Sequence, residues 1–266
     1  MTRLTEDLIE DLPRRAARRN AELLEQTGMD LKTLAFRAIG KDASDYDLGL
    51  YTAAAVPITS GLGIIGGFSL GVSSILESMG FRSSVTSETD VNGFFKALEN
   101  GADIIFMADD RTYLAYNRRT GVYSNNSFGT AAGYAQALDG AAGGLRGKKV
   151  LVIGAGMVGT QAVKILSEKD AVVSVTDIVY EKSMNLARTY GATAVKDVSE
   201  AISSHAYILN ASPGLIPGNL ISEGAIIASP GIPYAFDKEG ESRAKTIIHD
   251  PLDIGTAVMA AECTAS

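Results

Sequence analysis

The chain has one cysteine, Cys263, and two histidines, His205 and His249. A single thiol cannot form an intrachain disulfide, which removes the cross-linked secreted scaffolds, and two imidazoles are too few for a histidine-rich metal site. Basic charge is also scarce: 24 Lys and Arg stand against 31 Asp and Glu, a formal charge of −7. Nucleic acid and anionic membranes demand a concentrated basic surface, so both are disfavoured as partners. The one basic run, Arg14-Arg15-Ala16-Ala17-Arg18-Arg19, carries its charges at helical spacing and reads as a solvated helix face. No apolar run reaches the roughly 20 residues that span a bilayer, and the charged start Met1-Thr2-Arg3-Leu4-Thr5-Glu6-Asp7 lacks the apolar core of a signal peptide. The expectation is a cytoplasmic soluble protein.

What is present is hydrophobic content of 46% and 28 glycines in 266 residues, the composition of an α/β enzyme with room for two small domains. The first fifty residues read as helices, with Thr5 as an N-cap ahead of Leu8 and Ile9. A small α/β unit follows. Its strands are expected at Val56-Pro57-Ile58-Thr59, Ser84-Val85-Thr86 and Asp103 to Ala108, and its helices at Ser69 to Met79 and Val91 to Asn100. An Ala- and Gly-rich helix, Ser127 to Ala142, connects to the second half and is a candidate for close packing against a twin subunit. There Lys149-Val150-Leu151-Val152-Ile153 is a continuous apolar strand, and strands at 172–177, 207–210, 225–228 and 246–248 alternate with helices. The fold class expected is α/β: a C-terminal Rossmann-type doubly wound parallel sheet plus a smaller N-terminal helical and α/β domain. The expected division is 1–126, a connecting helix over 127–146, a Rossmann domain over 147–250, and a C-terminal helix over 251–266 that packs back on the first domain.

The spacing G-x-G-x-x-G occurs twice, at Gly61-Gly63-Gly66 and Gly154-Gly156-Gly159. At the second copy a strand precedes and a helix follows, so Gly154, Ala155, Gly156, Met157, Val158 and Gly159 form a turn that sets a pyrophosphate on a helix N-terminus. Asp177 stands at the tip of the next strand, where a carboxylate accepts the adenosine ribose hydroxyls and repels a 2′-phosphate. No Arg or Lys follows it among Ile178, Val179 and Tyr180, so the cofactor expected is NAD rather than NADP. The first copy follows a short run containing proline, and it is assigned to packing or to close approach by a ligand. Two further strand-end loops are expected to flank the nicotinamide, through Ala211, Ser212 and Pro213 in one and Pro230 in the other.

Nicotinamide chemistry requires positioning and proton management, not a nucleophile or a metal. Asp109-Asp110, after the strand ending at Ala108, is the most suggestive carboxylate pair, with one expected to face substrate and the other to be solvated or capping; a turn or cap is the alternative. His249 reads as either a general acid or base or a structural group, and Cys263 as buried packing.

Over almost its whole length the sequence resembles the pyrrolysine synthase family. The resemblance rests on residues 56–69 (Val56-Pro57-Ile58-Thr59-Ser60-Gly61 to Phe68-Ser69), Ile105 to Asp110, the Asn125-Asn126 pair, Ser229-Pro230-Gly231-Ile232-Pro233 and 251–257, with Leu4 to Leu8 matching loosely. It implies NAD-dependent oxidation of the terminal amine of a lysine acylated on its ε-nitrogen by 3-methyl-D-ornithine. Water converts the imine to an aldehyde, which condenses with the ornithyl α-amine to close the pyrroline ring. It further implies Asp109 as the catalytic, substrate-holding carboxylate, Ser60, Phe68 and Asn126 lining the pocket, Leu4 on a covering helix, and a homodimer. The first glycine loop then becomes a wall of the substrate pocket. The competing readings are another amino-acid or opine-type dehydrogenase, a 2-hydroxy-acid enzyme, and a non-catalytic NAD-binding sensor.

Overall fold

The structure, a computed structural model, describes residues 12–265. The expected Thr5 cap and the Leu4 helix lie outside them. The described chain forms two compact units, one of residues 12–24, 29–129 and 251–265, the other of 25–28 and 130–250.

The helix α1 (Leu12–Thr27), whose last three residues belong to the second unit, and α2 (Leu31–Ala38) precede the five-stranded sheet of the first unit. Asp30 caps α2 by accepting the Thr33 N–H over 2.7 Å, and the helix buries Leu31, Leu34, Ala35 and Phe36. The sheet has the order β2-β1-β3-β4-β5, with β1 at Thr52–Val56, β2 at Arg82–Val85, β3 at Ile104–Ala108, β4 at Tyr113–Asn117 and β5 at Tyr123–Asn125. The crossover helices are α3 (Phe68–Met79) and α4 (Asp90–Glu99). β1, β2 and β3 are parallel, whereas β4 is antiparallel to both β3 and β5.

Two expectations are corrected. The strand anticipated at 56–59 instead ends at Val56, because Pro57 has no N–H for the ladder, and it begins at Thr52. A parallel strand therefore does precede the first glycine pattern. The β4–β5 hairpin adds two strands to the three expected, and the alternating burial of 113–117 is the period of a strand packed on one face.

The second unit holds six parallel strands in the order β11-β10-β9-β6-β7-β8. They are β6 (Lys149–Ile153), β7 (Val172–Thr176), β8 (Thr193–Ala194), β9 (Tyr207–Asn210), β10 (Ile226–Ala228) and β11 (Thr246–Ile248). The helices between them are α6 (Met157–Glu168), α7 (Tyr180–Tyr190), α8 (Val198–Ser203) and α9 (Lys238–Arg243). This is the doubly wound order, with β6 between β7 and β9 at the point where the winding reverses. Leu151, Ile153, Ile202, Ile208, Ile227 and Phe236 make one core cluster, so the apolar run of β6 exists because helices cover both its faces.

The helix α5 (Asn126–Ala141) joins the units in sequence. Its residues 131–138 are buried within the chain, so this stretch cannot be the face that meets a twin. The last helix, α10 (Asp253–Ala265), belongs to the first unit and packs on α2, α3, β4 and β5. Nearly all its residues are buried, as expected of a helix that is apolar all round. Thr256 Oγ1 lies 2.9 Å from Tyr113 Oη, and Asn117 Nδ2 donates to the Cys263 carbonyl over 2.7 Å, which ties the helix to β4 at two points. Arg19 Nε sits 2.8 Å from the largely buried Asp253 carboxylate, so the basic run is not all solvent-facing; Arg18 pairs with Glu22 on the surface.

Candidate functional site

Strand direction decides where the first unit's candidate site residues emerge. β5 is antiparallel to β4, which is antiparallel to β3, so β1, β3 and β5 all point the same way. Their last ladder row runs Val56, Met107, Leu114, Asn125. Just past it the chain leaves β1 into the glycine loop with Ser60 and on to Phe68, leaves β3 into Asp109 and Asp110, and leaves β5 into Asn126. The four residues expected at a substrate site within the described chain are thus gathered at one sheet edge, although they come from distant parts of the sequence. Leu4 lies outside the described residues.

Asp109 opens the turn between β3 and β4. Its Oδ1 accepts the N–H groups of Arg111 and Thr112 over 2.8 and 2.7 Å, and its own N–H donates to the Thr112 carbonyl over 2.9 Å. The turn that is the alternative expectation for this pair is therefore present. Those two amides also hold the exposed carboxyl below the ordinary carboxylate range, so it stays charged. Oδ2 accepts no hydrogen bond among the described residues. Asp110 turns elsewhere: its Oδ2 accepts the Leu62 N–H over 2.7 Å. The pair thus divides into a carboxylate with an open oxygen and one engaged with the glycine loop.

Phe68, the first residue of α3, meets the ring of Tyr113 edge to face at 5.3 Å between centroids. Tyr113 is fully buried against Phe106 and Thr256, so Phe68 is held from behind by a side chain that no sequence motif marks. The Ser60 side chain is exposed and its hydroxyl makes no hydrogen bond among the described residues. Asn125 caps α5 by accepting the Phe128 N–H over 3.1 Å, which fixes the start of the helix on which Asn126 sits.

The residues expected to hold the cofactor lie at the corresponding edge of the second unit's sheet. Gly154, at φ 96°, makes the turn out of β6, with its N–H donating to the Thr176 carbonyl over 2.8 Å. A Cβ on Gly159 would collide with the Gly154 carbonyl, so helix and strand approach as closely as a Rossmann turn requires. Around the Cβ position of Gly156 there is nothing within 4 Å. That opening lies in front of the first turn of α6, whose N–H groups have no intrahelical partner, and it suits a pyrophosphate. Met157 is exposed and Val158 half-buried in the same turn. Asp177 follows β7 as expected and accepts from Ala155 N over 2.7 Å and Val179 N over 2.8 Å. The residues present fit NAD: Gly156 and the α6 amides for the pyrophosphate, Asp177 for the ribose.

Two more loops at this edge are joined by one buried amide. Asn210 Oδ1 accepts from Ser212 N and Oγ at 3.1 and 2.8 Å, and Nδ2 donates to Ser229 Oγ over 3.1 Å. Ala211 packs on Gly154, Pro213 is exposed, and Pro230 continues the chain from Ser229. His249 Nδ1 lies 2.7 Å from the Ser229 carbonyl and its ring meets Tyr234 edge to face, a structural setting. His205 is buried between Ala201 O and Ser174 Oγ. Among the described residues no group of three or more His, Cys, Asp or Glu could hold a metal, and no helix is long and apolar enough to cross a membrane.

Comparison with known proteins meets this geometry on both sides. Residues 8–124 match the N-terminal domain of the pyrrolysine biosynthesis protein PylD, and residues 124–251 match the C-terminal domain of alanine dehydrogenase/PNT. The pyrrolysine synthase of Methanosarcina barkeri strain Fusaro is 33% identical over 97% of each chain, and that of Methanosarcina acetivorans is 33% identical over 97% of this chain and 98% of its own. In fold, the chain is similar to a quinate dehydrogenase from Corynebacterium glutamicum in complex with NAD, at a TM-score of 0.54 and 14% identity, covering 80% of this chain and 93% of that one. The chain belongs to the pyrrolysine synthase family, and it is an NAD-dependent oxidoreductase of pyrrolysine biosynthesis.

Proposed function

We propose that the chain oxidises the terminal amine of 3-methyl-D-ornithyl-N6-L-lysine and lets the product close to pyrrolysine, with Asp109 holding the amine and Ser60, Phe68 and Asn126 shaping the pocket. The observation that carries the reading is the exposed Asp109 carboxylate, held charged by two amides on Oδ1 with Oδ2 unbonded, in a chain of this family. An ammonium ion pairs with Oδ2 on binding. Before its neighbouring carbon can release hydride the amine must shed a proton, and the carboxylate at hydrogen-bond distance is the group placed to receive or relay it.

NAD, when bound, takes the two electrons that leave with the C–H hydrogen. Hydrolysis of the resulting imine yields the aldehyde and ammonium; attack by the ornithyl α-amine then expels water. For that closure the chain need only keep amine and aldehyde together, since five-membered imines form readily at high effective concentration. Ser60 and Asn126 supply polar contacts to the substrate backbone, and Phe68 an apolar wall.

The same reading has Ala211, Ser212, Pro213 and Pro230 beside the nicotinamide, a cytoplasmic site of action and a homodimer; light scattering tests the last. Mass spectrometry of the product from synthetic 3-methyl-D-ornithyl-lysine and NAD tests the reaction. NADH with the mass of pyrrolysine supports it. NADH from other amines alone makes the chain a different amine dehydrogenase, and tight NAD binding with no NADH from any amine makes it a sensor.

A further inference from the structure

The loop that carries Ser60 is eleven residues long, 57–67, against three between β6 and α6. A loop of that length with a serine exposed in the middle has no intrinsic reason to hold one shape. Two carboxylates from outside the loop grip it on either side of that serine. Asp90, the first residue of α4, accepts the Thr59 N–H on Oδ1 over 2.7 Å and the Thr59 hydroxyl on Oδ2 over 2.6 Å. Its own N–H donates to the Pro57 carbonyl over 2.9 Å, and it holds these bonds at φ 54°, a backbone region that costs a non-glycine residue. On the other side Asp110 accepts the Leu62 N–H over 2.7 Å. Gly61, at φ 72°, lies so close to this carboxylate that a Cβ there would collide with it. Between the two grips the Ser60 carbonyl accepts the Gly63 N–H over 3.4 Å, and the Ser60 hydroxyl is left without a bond among the described residues.

We infer that Asp110 and Asp90 are positioning residues for the amine oxidation: they fix the backbone on both flanks of Ser60, and adjacent Asp109 and Asp110 have separate jobs, Asp109 meeting substrate through its charge and Asp110 aiming the loop through its oxygen. The inference rests on the proposed substrate site. It implies that what Asp110 must supply is a hydrogen-bond acceptor, not a negative charge. A carboxylate-to-amide change keeps the acceptor and loses the charge, which separates the two roles.

The test compares Asp110→Asn, Asp110→Ala and Asp109→Asn for kcat/KM with 3-methyl-D-ornithyl-lysine, NAD affinity and thermal unfolding. The expected result is that Asp110→Asn keeps activity within about threefold while Asp110→Ala loses about tenfold or more, with NAD affinity and unfolding temperature close to the parent in both. Asp109→Asn is as damaging as removing the group. Equal loss for Asp110→Asn and Asp110→Ala overturns the inference, because charge is then what matters; so does a harmless Asp110→Ala. If the parent chain proves inactive on this substrate, hydrogen exchange still decides: Asp110→Ala speeds exchange at the Leu62 amide and Asp109→Ala does not, whereas no change at Leu62 overturns the grip whatever the substrate.

Discussion

Ala155 donates its N–H to Asp177 Oδ2 across 2.7 Å, so the acid at the tip of β7 is braced against the glycine turn. With Val179 N–H on Oδ1, the carboxylate is fixed in direction, and its remaining lone pairs are the acceptors it would offer to the hydroxyls of a ribose bound as proposed.

The first prediction follows from that fixed charge. Asp177→Asn keeps an acceptor and removes the repulsion toward a 2′-phosphate, so the ratio of NAD to NADP affinity falls by about tenfold or more. Adding Ile178→Arg costs the core nothing, since Ile178 is 95% exposed, and it moves the preference further toward NADP. Titration of both dinucleotides by fluorescence gives the ratio; an unchanged ratio assigns discrimination to other residues.

Two glycines of the turn, Gly156 and Gly159, are predicted to fail in different ways. A Cβ at Gly159 collides with the Gly154 carbonyl, which belongs to backbone and cannot move aside, so Gly159→Ala lowers the unfolding temperature as well as NAD affinity. Gly156→Ala meets no atom within 4 Å and should fold like the parent. Its methyl group instead enters the space a pyrophosphate would take, so NAD affinity drops while thermal stability without NAD does not. A Gly156→Ala chain that binds NAD normally would place the pyrophosphate elsewhere.

What could be read from sequence followed from local chemistry. β6, its turn, α6 and Asp177 are legible because one continuous segment writes apolar run, glycine spacing and acidic tip in order, and the structure adds the hydrogen bonds that brace them, from Ala155 and Val179 to Asp177 and from Gly154 to Thr176. The cap role of Asp109 was legible as an alternative, since its partners are two and three residues away. The partners of Asp90 and Asp110 lie 31 and 48 residues off, and no pattern along the chain announces a bond across that separation. The true start of β1 is hard to see in sequence because Ala53, Ala54 and Ala55 are buried but too small to stand out, while Val56 and Ile58 on either side of Pro57 suggest a strand further along.

Asp109 yields a pH prediction. Its carboxyl is held below the usual range by the Arg111 and Thr112 amides, so it remains ionised as pH falls toward about 5, still above the ordinary Asp value. Because the folded value is depressed, any stability this carboxylate lends to the β3–β4 turn is present above its unfolded value and is lost only as pH falls through the lower, folded one. Substrate binding should therefore stay flat from pH 8 to about 5 as far as Asp109 is concerned, and the rise of kcat with pH should follow the substrate amine. In Asp109→Asn the KM for the amine rises at every pH. A KM that climbs steeply between pH 7 and 5 in the parent would point to a titrating group other than Asp109.

Cys263 supplies the last prediction. Burial in α10 pushes its thiol up to about 12, and the neighbouring Glu262 charge adds to the shift. The thiolate is the reactive form, so at pH 8 the native chain should resist an aromatic disulfide reagent, and labelling should keep pace with unfolding. The sign of the linkage is opposite to that of Asp109. A thiol whose folded value is raised contributes stability fully present below its unfolded value, near 8.5, and that stability is lost as pH climbs toward the folded value of about 12. Urea midpoints measured from pH 8 to 11 should fall more steeply for the parent than for Cys263→Ala, which has no thiol to ionise in the unfolded chain. Cys263→Ala starts lower at pH 8 because it loses the Sγ contact with the Ala115 carbonyl at 3.5 Å and leaves a small void against β4. The two curves therefore converge as pH rises, and parallel curves would mean that Cys263 ionises as readily folded as unfolded, contrary to its burial.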